Sequence, residues 1–455
     1  MIFEQFYLEC LSHASYLIGD TSTGRAVVVD PQRDVQQYLD SAKSHDLKIE
    51  LVLETHFHAD FLSGHLELAK ATGATIGYGA VAKPQFAARA FADGERYVLG
   101  EVVLEIRHTP GHTPESVSIV VFEHTNDQVP YGVLTGDTMF IGDVGRPDLL
   151  VSVGKTSDEL GRMLFNSLNN KLLTLPDATR VYPAHGAGSA CGKNLSTETM
   201  STIGEQRKTN YALQFTDIEK FVDVVTEGQP PAPGYFIYDA QRNSQVRDVL
   251  DEHAVLKKLT ITEVTKHVDA GAVVLDTREP QLFATGHIVG SINVGMDGRY
   301  AEYAGAVVSP GTNIVVATDE GHEREARIRL ARIGYDNVVG WFSVDELATS
   351  PEYSEKSSRL TADEFSQRAS TLAGLQVVDV RNESEFKLGS VQGASNIPVV
   401  QLPNRISELD PALPTVVYCA GGYRSSIASS LLKRAGFTDV SDVLGGFESI
   451  RLVRQ

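Results

Sequence analysis

Along the first 240 residues, short apolar runs alternate with polar turns. SYLIGD (15–20), AVVVDP (26–31) and IELVLETH (49–56) read as strands, the last running into a loop. These and later runs lead into polar residues of one kind. His56 closes IELVLETH, His112 follows LEIRHTPG, Asp137 closes YGVLTGD and His185 closes RVYPAH. Polar groups at successive strand ends predict ligands that converge on one rim of a sheet.

The second half carries an internal repeat. AGAVVLDTREPQLFATGHIVGSINV (270–294) returns as AGLQVVDVRNESEFKLGSVQGASNI (373–397), each a buried strand ending in Asp-x-Arg, a short helix and a Gly-rich turn. A second apolar strand follows in each copy, NIVVATD (313–319) and PTVVYCA (414–420), then a helix and a last short strand. Strands alternating with helices predict a small parallel α/β domain, present twice. The Pro-rich EGQPPAPGYF (227–236) predicts an extended connector, and SPEYSEKSSR (350–359) a polar linker. The expected domains are 1–245, 256–350 and 357–455.

Composition narrows the function classes. The 455 residues carry a net charge of −19, which argues against nucleic acid and anionic membranes as partners. No apolar run reaches the ~18 residues of a membrane span, and nothing at the N-terminus reads as a signal peptide. Three cysteines, Cys10, Cys191 and Cys419, do not make a disulfide framework, so a reducing, cytoplasmic setting is expected. The charge divides as −13 over 1–240, −7 over 241–355 and +1 over 356–455. The last domain is therefore where an anion meets no strongly negative background.

ETHFHADF (54–61) places His56, His58 and Asp60 at alternate positions after a buried strand, an imidazole and carboxylate set suited to a divalent transition metal. With HTPGHT (108–113), LTGD (134–137) and YPAH (182–185) in this order, the first domain resembles the metallo-β-lactamase fold superfamily. The resemblance implies an αββα sandwich with the metal at one edge of two sheets. Hydrolases of that superfamily commonly bind two metals through HxHxDH, whereas here the next position is Phe61, which cannot ligate. The set His56, His112 and Asp137 remains, and two His with one carboxylate is the arrangement of non-haem Fe(II) oxygenases.

GDVGRPDL (142–149) resembles the persulfide dioxygenase branch more closely. That resemblance implies one Fe(II) per chain on His56, His112 and Asp137. It places His58, Asp60 and His185 around those ligands or the substrate, and makes Arg146 a substrate contact. After YPAH the chain departs from the glutathione-persulfide enzymes: an Asp-Tyr segment is replaced by GAGSACG (186–192), which leaves the thiol carrier open among glutathione, coenzyme A, bacillithiol and others. AHGAGSACGKNL, HADF and the duplicated module together resemble the bacterial fusion enzymes of the sulfide-responsive cst operon. Cys191, six residues after His185, is a candidate pocket thiol or a small buried residue. Cys10 reads as core in an apolar strand.

In the last domain, strand TVVY runs into Cys419-Ala420-Gly421-Gly422-Tyr423-Arg424 and then a helix. Successive backbone N–H groups at a helix start form an anion cradle, and small residues let the loop curl around a sulfur. Those dipoles and Arg424 favour a Cys419 thiolate. This loop, with DVRNESEF before it, resembles rhodanese-family sulfurtransferases. Asp379 and Arg381 read as a structural pair. In the first repeat the position of Cys419 falls at Val316 or Ala317, and the acidic TDEGHER has no cysteine, so a degenerate module is expected.

The expected fold class is α/β multidomain, a metallo-β-lactamase sandwich followed by two rhodanese-like domains. The expected activity is oxidation of a small-thiol persulfide by O2 to sulfite, with Cys419 converting sulfite to thiosulfate, in a homo-oligomer. The alternatives are a zinc thioesterase of the glyoxalase II kind with a rhodanese appendage, and a non-catalytic sulfur carrier.

Overall fold

In the computed structural model, which describes residues 1–149, 154–229 and 231–453, the chain divides into two units. Residues 1–232 and 236–252 form the first, and 233–235 with 253 onward the second. The first unit holds two six-stranded sheets. One runs in chain order: β1 (Ile2–Leu8), β2 (His13–Asp20), β3 (Arg25–Val29), β4 (Lys48–Leu53), β5 (Thr75–Gly79) and β6 (Arg89–Phe91). Its first three strands are antiparallel and β3 to β6 parallel. The other comprises β7 (Arg96–Val98), β8 (Val103–His108), β9 (Val117–Phe122), β10 (Gly132–Gly136), β11 (Arg180–Pro183) and β12 (Ser201–Thr202), with β10 and β11 parallel.

Runs such as Val27-Val28-Val29 are apolar without alternation because both faces of each sheet are covered. Val27, Val29, Leu51 and Leu53 meet Leu104, Ile106, Ile119 and Val121 between the sheets. Val28 and Val52 face outward onto Tyr38 and Leu68, from the helices Gln36–Ser44 and His65–Thr72. On the opposite side, Val120, Val133 and Val181 pack on Leu164, Phe221 and Val222 from the helices Ser157–Ser167 and Ile218–Thr226. The result is an αββα sandwich.

The second unit contains two parallel sheets. The first has the order β15 (Ile292–Asn293), β13 (Val273–Asp276), β16 (Ile314–Thr318), β17 (Val338–Ser343), and a short ribbon pairs β14 (His287–Ile288) with β18 (Ser354–Glu355). The second runs β19 (Ser358–Leu360), β23 (Val440–Val443), β22 (Thr415–Tyr418), β20 (Gln376–Asp379), β21 (Ser395–Asn396). The repeat holds in detail. Thr260 with Glu263 and Thr361 with Glu364 form the same capping box at the same helix start, each worth about 1 kcal/mol. Asp276–Arg278 and Asp379–Arg381 form the same ion pair, with each guanidinium also donating to a carbonyl eight residues on. Asn293 and Asn396 each donate to the carbonyls of that Asp and Arg.

Four expectations are corrected. Sheet register pairs Asp276 with Ala317 and Asp379 with Tyr418, so Thr318, not Val316 or Ala317, is the counterpart of Cys419. The stretch 350–359 is no free linker, because β18 and the first residues of β19 lie in it. Phe236 ends the Pro-rich stretch by starting a helix, Phe236–Asn243, and packing carries the first unit to Glu252; Pro230 lies outside the described residues. Cys10 is half-buried in a 3-10 turn, Glu9–Leu11, and is not a strand residue.

Candidate metal centre and sulfur-transfer site

The sandwich gathers its polar strand ends at one rim. Beyond β4 lies the loop of His56, His58 and Asp60; beyond β8, His112; beyond β10, Asp137; beyond β11, His185. Donor atoms of His56, His112 and Asp137 lie within 4.8 Å of one another, as do those of His58, Asp60 and His185 and those of Asp137, His185 and Cys191. All these side chains are buried.

Each imidazole is aimed by its other nitrogen. Thr55 Oγ1 donates to Asp30 (2.9 Å) and so accepts from His56 Nδ1 (3.0 Å). His112 Nδ1 donates to the Arg146 carbonyl (2.9 Å), and His185 Nδ1 to the Ser12 carbonyl (3.1 Å). In all three rings Nε2 is left to face Asp137, at 3.9 Å from His56, 3.4 Å from His112 and 3.5 Å from His185. His56 Nε2, His185 Nε2 and both Asp137 oxygens are buried without a hydrogen-bond partner. Polar atoms stranded in this way cost about 1–3 kcal/mol each unless a cation takes their lone pairs, so the donor set fits a metal ion.

Electrostatics point the same way. Burial, then the neighbouring histidines, push His56 well below its ordinary value and keep it a neutral ligand. Burial would lower His58 too, but Asp30, Glu54 and Asp60 outweigh it and push it up to about 9. Burial, then His185, Asp137 and His58 with mixed signs, leave the Asp60 carboxyl raised. Phe61 is buried, its ring centre 4.0 Å from that of His13 and 4.4 Å from that of His58.

Arg146, expected as a substrate contact, is buried behind His112. Its guanidinium is bidentate on Asp148 (2.7 Å twice) and donates to the Ala190 carbonyl (3.1 Å), while its backbone holds His112 and the Cys191 carbonyl. Cys191 is buried beside Asp137 and His185; burial, then Asp60 and Asp137, push its thiol well above the usual range.

Sequence reading missed the brace behind the loop. Asn243 Nδ2 donates to the carbonyls of His58 (2.7 Å) and Phe61 (2.8 Å), and its Oδ1 accepts from the Ser63 amide (2.8 Å). Arg247 pairs with Glu67 and donates to the Ser63 carbonyl; Arg33 joins Glu67 from the other side at 2.8 Å. No local motif announces these residues, which lie about 180 positions from the loop they hold.

In the second unit Cys419 sits at the end of β22, its Sγ accepting from the Gly422 amide (3.1 Å). Gly422 has φ +109°, the left-handed conformation that turns this amide inward. The thiol faces Ser425 Oγ (3.5 Å), which donates to Asp442 (3.2 Å), itself bidentate with Arg359 (2.9 Å twice). Arg424 is bidentate on Glu385 (2.7 and 2.8 Å), so its charge reaches Cys419 through a neutralising partner. Ala420 and Gly421 line the loop, and the Tyr423 hydroxyl donates to the Gly295 carbonyl (2.6 Å). In the first repeat Gly321 keeps the left-handed turn (φ +96°), but Thr318 stands for Cys419 and Glu323 for Arg424.

A model of the metallo-beta-lactamase superfamily matches residues 8–185, and a rhodanese-like domain model matches 260–342 and 361–452. The chain is 31% identical over 227 residues to the mitochondrial persulfide dioxygenase ETHE1 of Bos taurus, covering 48% of this chain and 78% of that protein. It is 33% identical over 183 residues to the cytoplasmic hydroxyacylglutathione hydrolase of Arabidopsis thaliana, covering 40% and 66%. A crystal structure described as a metallo-beta-lactamase from Staphylococcus aureus subsp. aureus COL aligns with TM-score 0.70 and 32% identity, over 75% of this chain and 99% of that one. No helix among the described residues is long and apolar enough to cross a membrane. The chain belongs to the metallo-beta-lactamase superfamily, in its ETHE1-like persulfide dioxygenase branch, and carries two rhodanese-like domains in tandem.

Proposed function

We propose that the first unit oxidises a small-thiol persulfide with O2 and that Cys419 passes sulfane sulfur to the sulfite formed. The observation that carries this reading is the buried set of His56, His112 and Asp137, and the presence of Phe61, which cannot ligate, after Asp60 supports it. One Fe(II) held by these three residues would supply the affinity for O2 and thiolate sulfur and the electron transfer that oxidation needs. The residues themselves keep the donors fixed: Thr55, the Arg146 carbonyl and the Ser12 carbonyl hold the three rings, and the Asn243 brace holds the loop. Burial of the rim excludes bulk water from the reacting sulfur.

The overall change is RSSH + O2 + H2O → RSH + SO3²⁻ + 2H⁺, in which the terminal sulfur is oxidised and O2 reduced. At the second site the Cys419 thiolate takes the outer sulfur of a second RSSH, with RS⁻ leaving as the thiol, and the sulfur lone pair of sulfite then attacks the outer sulfur of the Cys419 persulfide. The S–S bond breaks, Cys419 leaves as thiolate, and thiosulfate departs. The Gly422 amide is placed to stabilise that thiolate. Joining both activities in one chain raises the effective concentration of sulfite at its acceptor site. Small sulfur compounds are the substrates in this reading, and the fused arrangement suits removal of sulfide.

His58, Asp60 and His185 gather a second donor set, which favours a two-zinc thioester hydrolase as the competing reading. Anaerobic metal quantification followed by oxygen uptake with glutathione, coenzyme A and bacillithiol persulfides separates the two. About one iron per chain with uptake is expected; two zinc ions, no uptake and thioester hydrolysis would replace the dioxygenase reading.

A further inference from the structure

The repeat that lacks a cysteine is packed against the one that has it. The helix Tyr423–Arg434, which begins on the Cys419 loop, lies on β15: Asn293 Oδ1 accepts from Ser426 Oγ (2.6 Å) and the Asn293 amide donates to Ser430 Oγ (3.0 Å). The Tyr423 ring fills the space beside Gly298, where any Cβ would overlap it. From the same stretch the helix Tyr300–Val307 brings Tyr303 against Tyr423, with ring centres 5.7 Å apart at 56°. The charges acting on the Tyr303 phenol are Glu302, Arg424, Arg299 and Cys419, so it lies within electrostatic reach of the Cys419 loop. No hydrogen bond among the described residues uses its hydroxyl.

We propose that Tyr303, supplied by the cysteine-less repeat, is a binding residue of the Cys419 site and donates a hydrogen bond to an oxygen of a small tetrahedral oxyanion of the sulfite class. The proposal rests on the sulfur-transfer reading of Cys419. Sulfite reacts through its sulfur, so its three oxygens point away from the cysteine and toward whatever lines the mouth. The Gly422 amide is turned to Sγ, and the Arg424 guanidinium is paired with Glu385. A phenol with an unused hydroxyl meets that need. Burial pushes it up to about 12, so it is a donor throughout the neutral range. The first repeat is thus half of one binding site, which accounts for a module with no nucleophile of its own.

The test uses the full-length chain and Tyr303→Phe. Alkylation of the Cys419 peptide by iodoacetamide is followed by mass spectrometry against sulfite concentration, and thiosulfate-to-cyanide sulfur transfer is measured alongside. In the variant, the sulfite concentration giving half-protection and the KM for thiosulfate should each rise about tenfold. The alkylation rate without sulfite should stay within twofold, which shows an intact loop. Unchanged half-protection and KM would overturn the role of Tyr303 while leaving Cys419 a sulfurtransferase. A wild-type chain that neither transfers sulfur nor gains protection from sulfite would overturn both. Should the Phe variant alkylate faster without sulfite, Tyr303→His, which retains a donor, must restore half-protection to within threefold, and failure to do so overturns the proposal.

Discussion

Replacing Asn243 by Ala tests whether the metal loop is braced from a distance. The substitution removes three hydrogen bonds and leaves the His58 and Phe61 carbonyls and the Ser63 amide without their partner. At about 1 kcal/mol net for each bond, and more for any group left dry, the loop should lose about 3 kcal/mol or more. Hydrogen exchange at the Gly64 amide reads this directly. That amide donates to the Pro31 carbonyl (2.7 Å) and not to Asn243, so its protection reports on opening of the loop and not on a deleted bond. A loss of about 3 kcal/mol corresponds to a fall of more than a hundredfold in its protection factor. Asn243→Asp should be worse at neutral pH, because a carboxylate oxygen would replace the amide that faces two carbonyls. A fall of less than about fivefold in Asn243→Ala, equivalent to about 1 kcal/mol, would refute the brace.

Cys419→Ser should retain oxygen uptake but release sulfite in place of thiosulfate, and thiosulfate formed at an undiminished rate would break the proposed coupling. Thr318→Cys, like Ala317→Cys, should show no sulfur transfer in a Cys419→Ser background, since the acidic Glu323 in place of Arg424 repels anions; measurable thiosulfate-to-cyanide activity would show the acidic loop to be harmless. A methyl group on Gly145 would overlap the Asp137 carbonyl and crowd His112, so Gly145→Ala should cut metal content at least tenfold after dialysis, read by elemental analysis. Burial alone would raise the Glu67 carboxyl, but Arg247 and Arg33 hold it at about 2 against an ordinary 4.5. A depressed carboxyl stabilises above its unfolded value and loses that contribution as pH falls from about 4.5 toward 2. This amounts to about 3 kcal/mol, and Glu67→Gln should be less stable at pH 7 with a flatter acid limb in urea titrations.

The rim of donors was legible because each lies at the end of an apolar run, and strand ends of one sandwich must meet. His56, His112, Asp137 and His185 come together as that pattern requires. The cradle at Cys419 was equally local, a strand, a small-residue turn and a helix in one segment. Residues that act across the fold gave no such signal. Asn243 and Arg247 lie beyond the Pro-rich stretch, where composition suggested only a boundary. Nor did the sequence show that Arg146 pairs with its own neighbour Asp148 and donates to the Ala190 carbonyl. The counterpart of Cys419 slipped by one or two residues because apolar strands align about equally well in several registers, and only the pairing of Asp276 with Ala317 fixes it.

The brace also sets an order of events during synthesis. The loop of His56 to Ser63 leaves the ribosome about 180 residues before Asn243. At about 5–20 residues per second, it waits on the order of 10 to 40 seconds for the residues that lock it. Throughout that interval the His58 and Phe61 carbonyls and the Ser63 amide lack their partner, and His112, Asp137 and His185 are themselves added to the chain before the brace arrives. The loop is thereby pinned only after every donor of the rim has been made, when Asn243 reaches the His58 and Phe61 carbonyls.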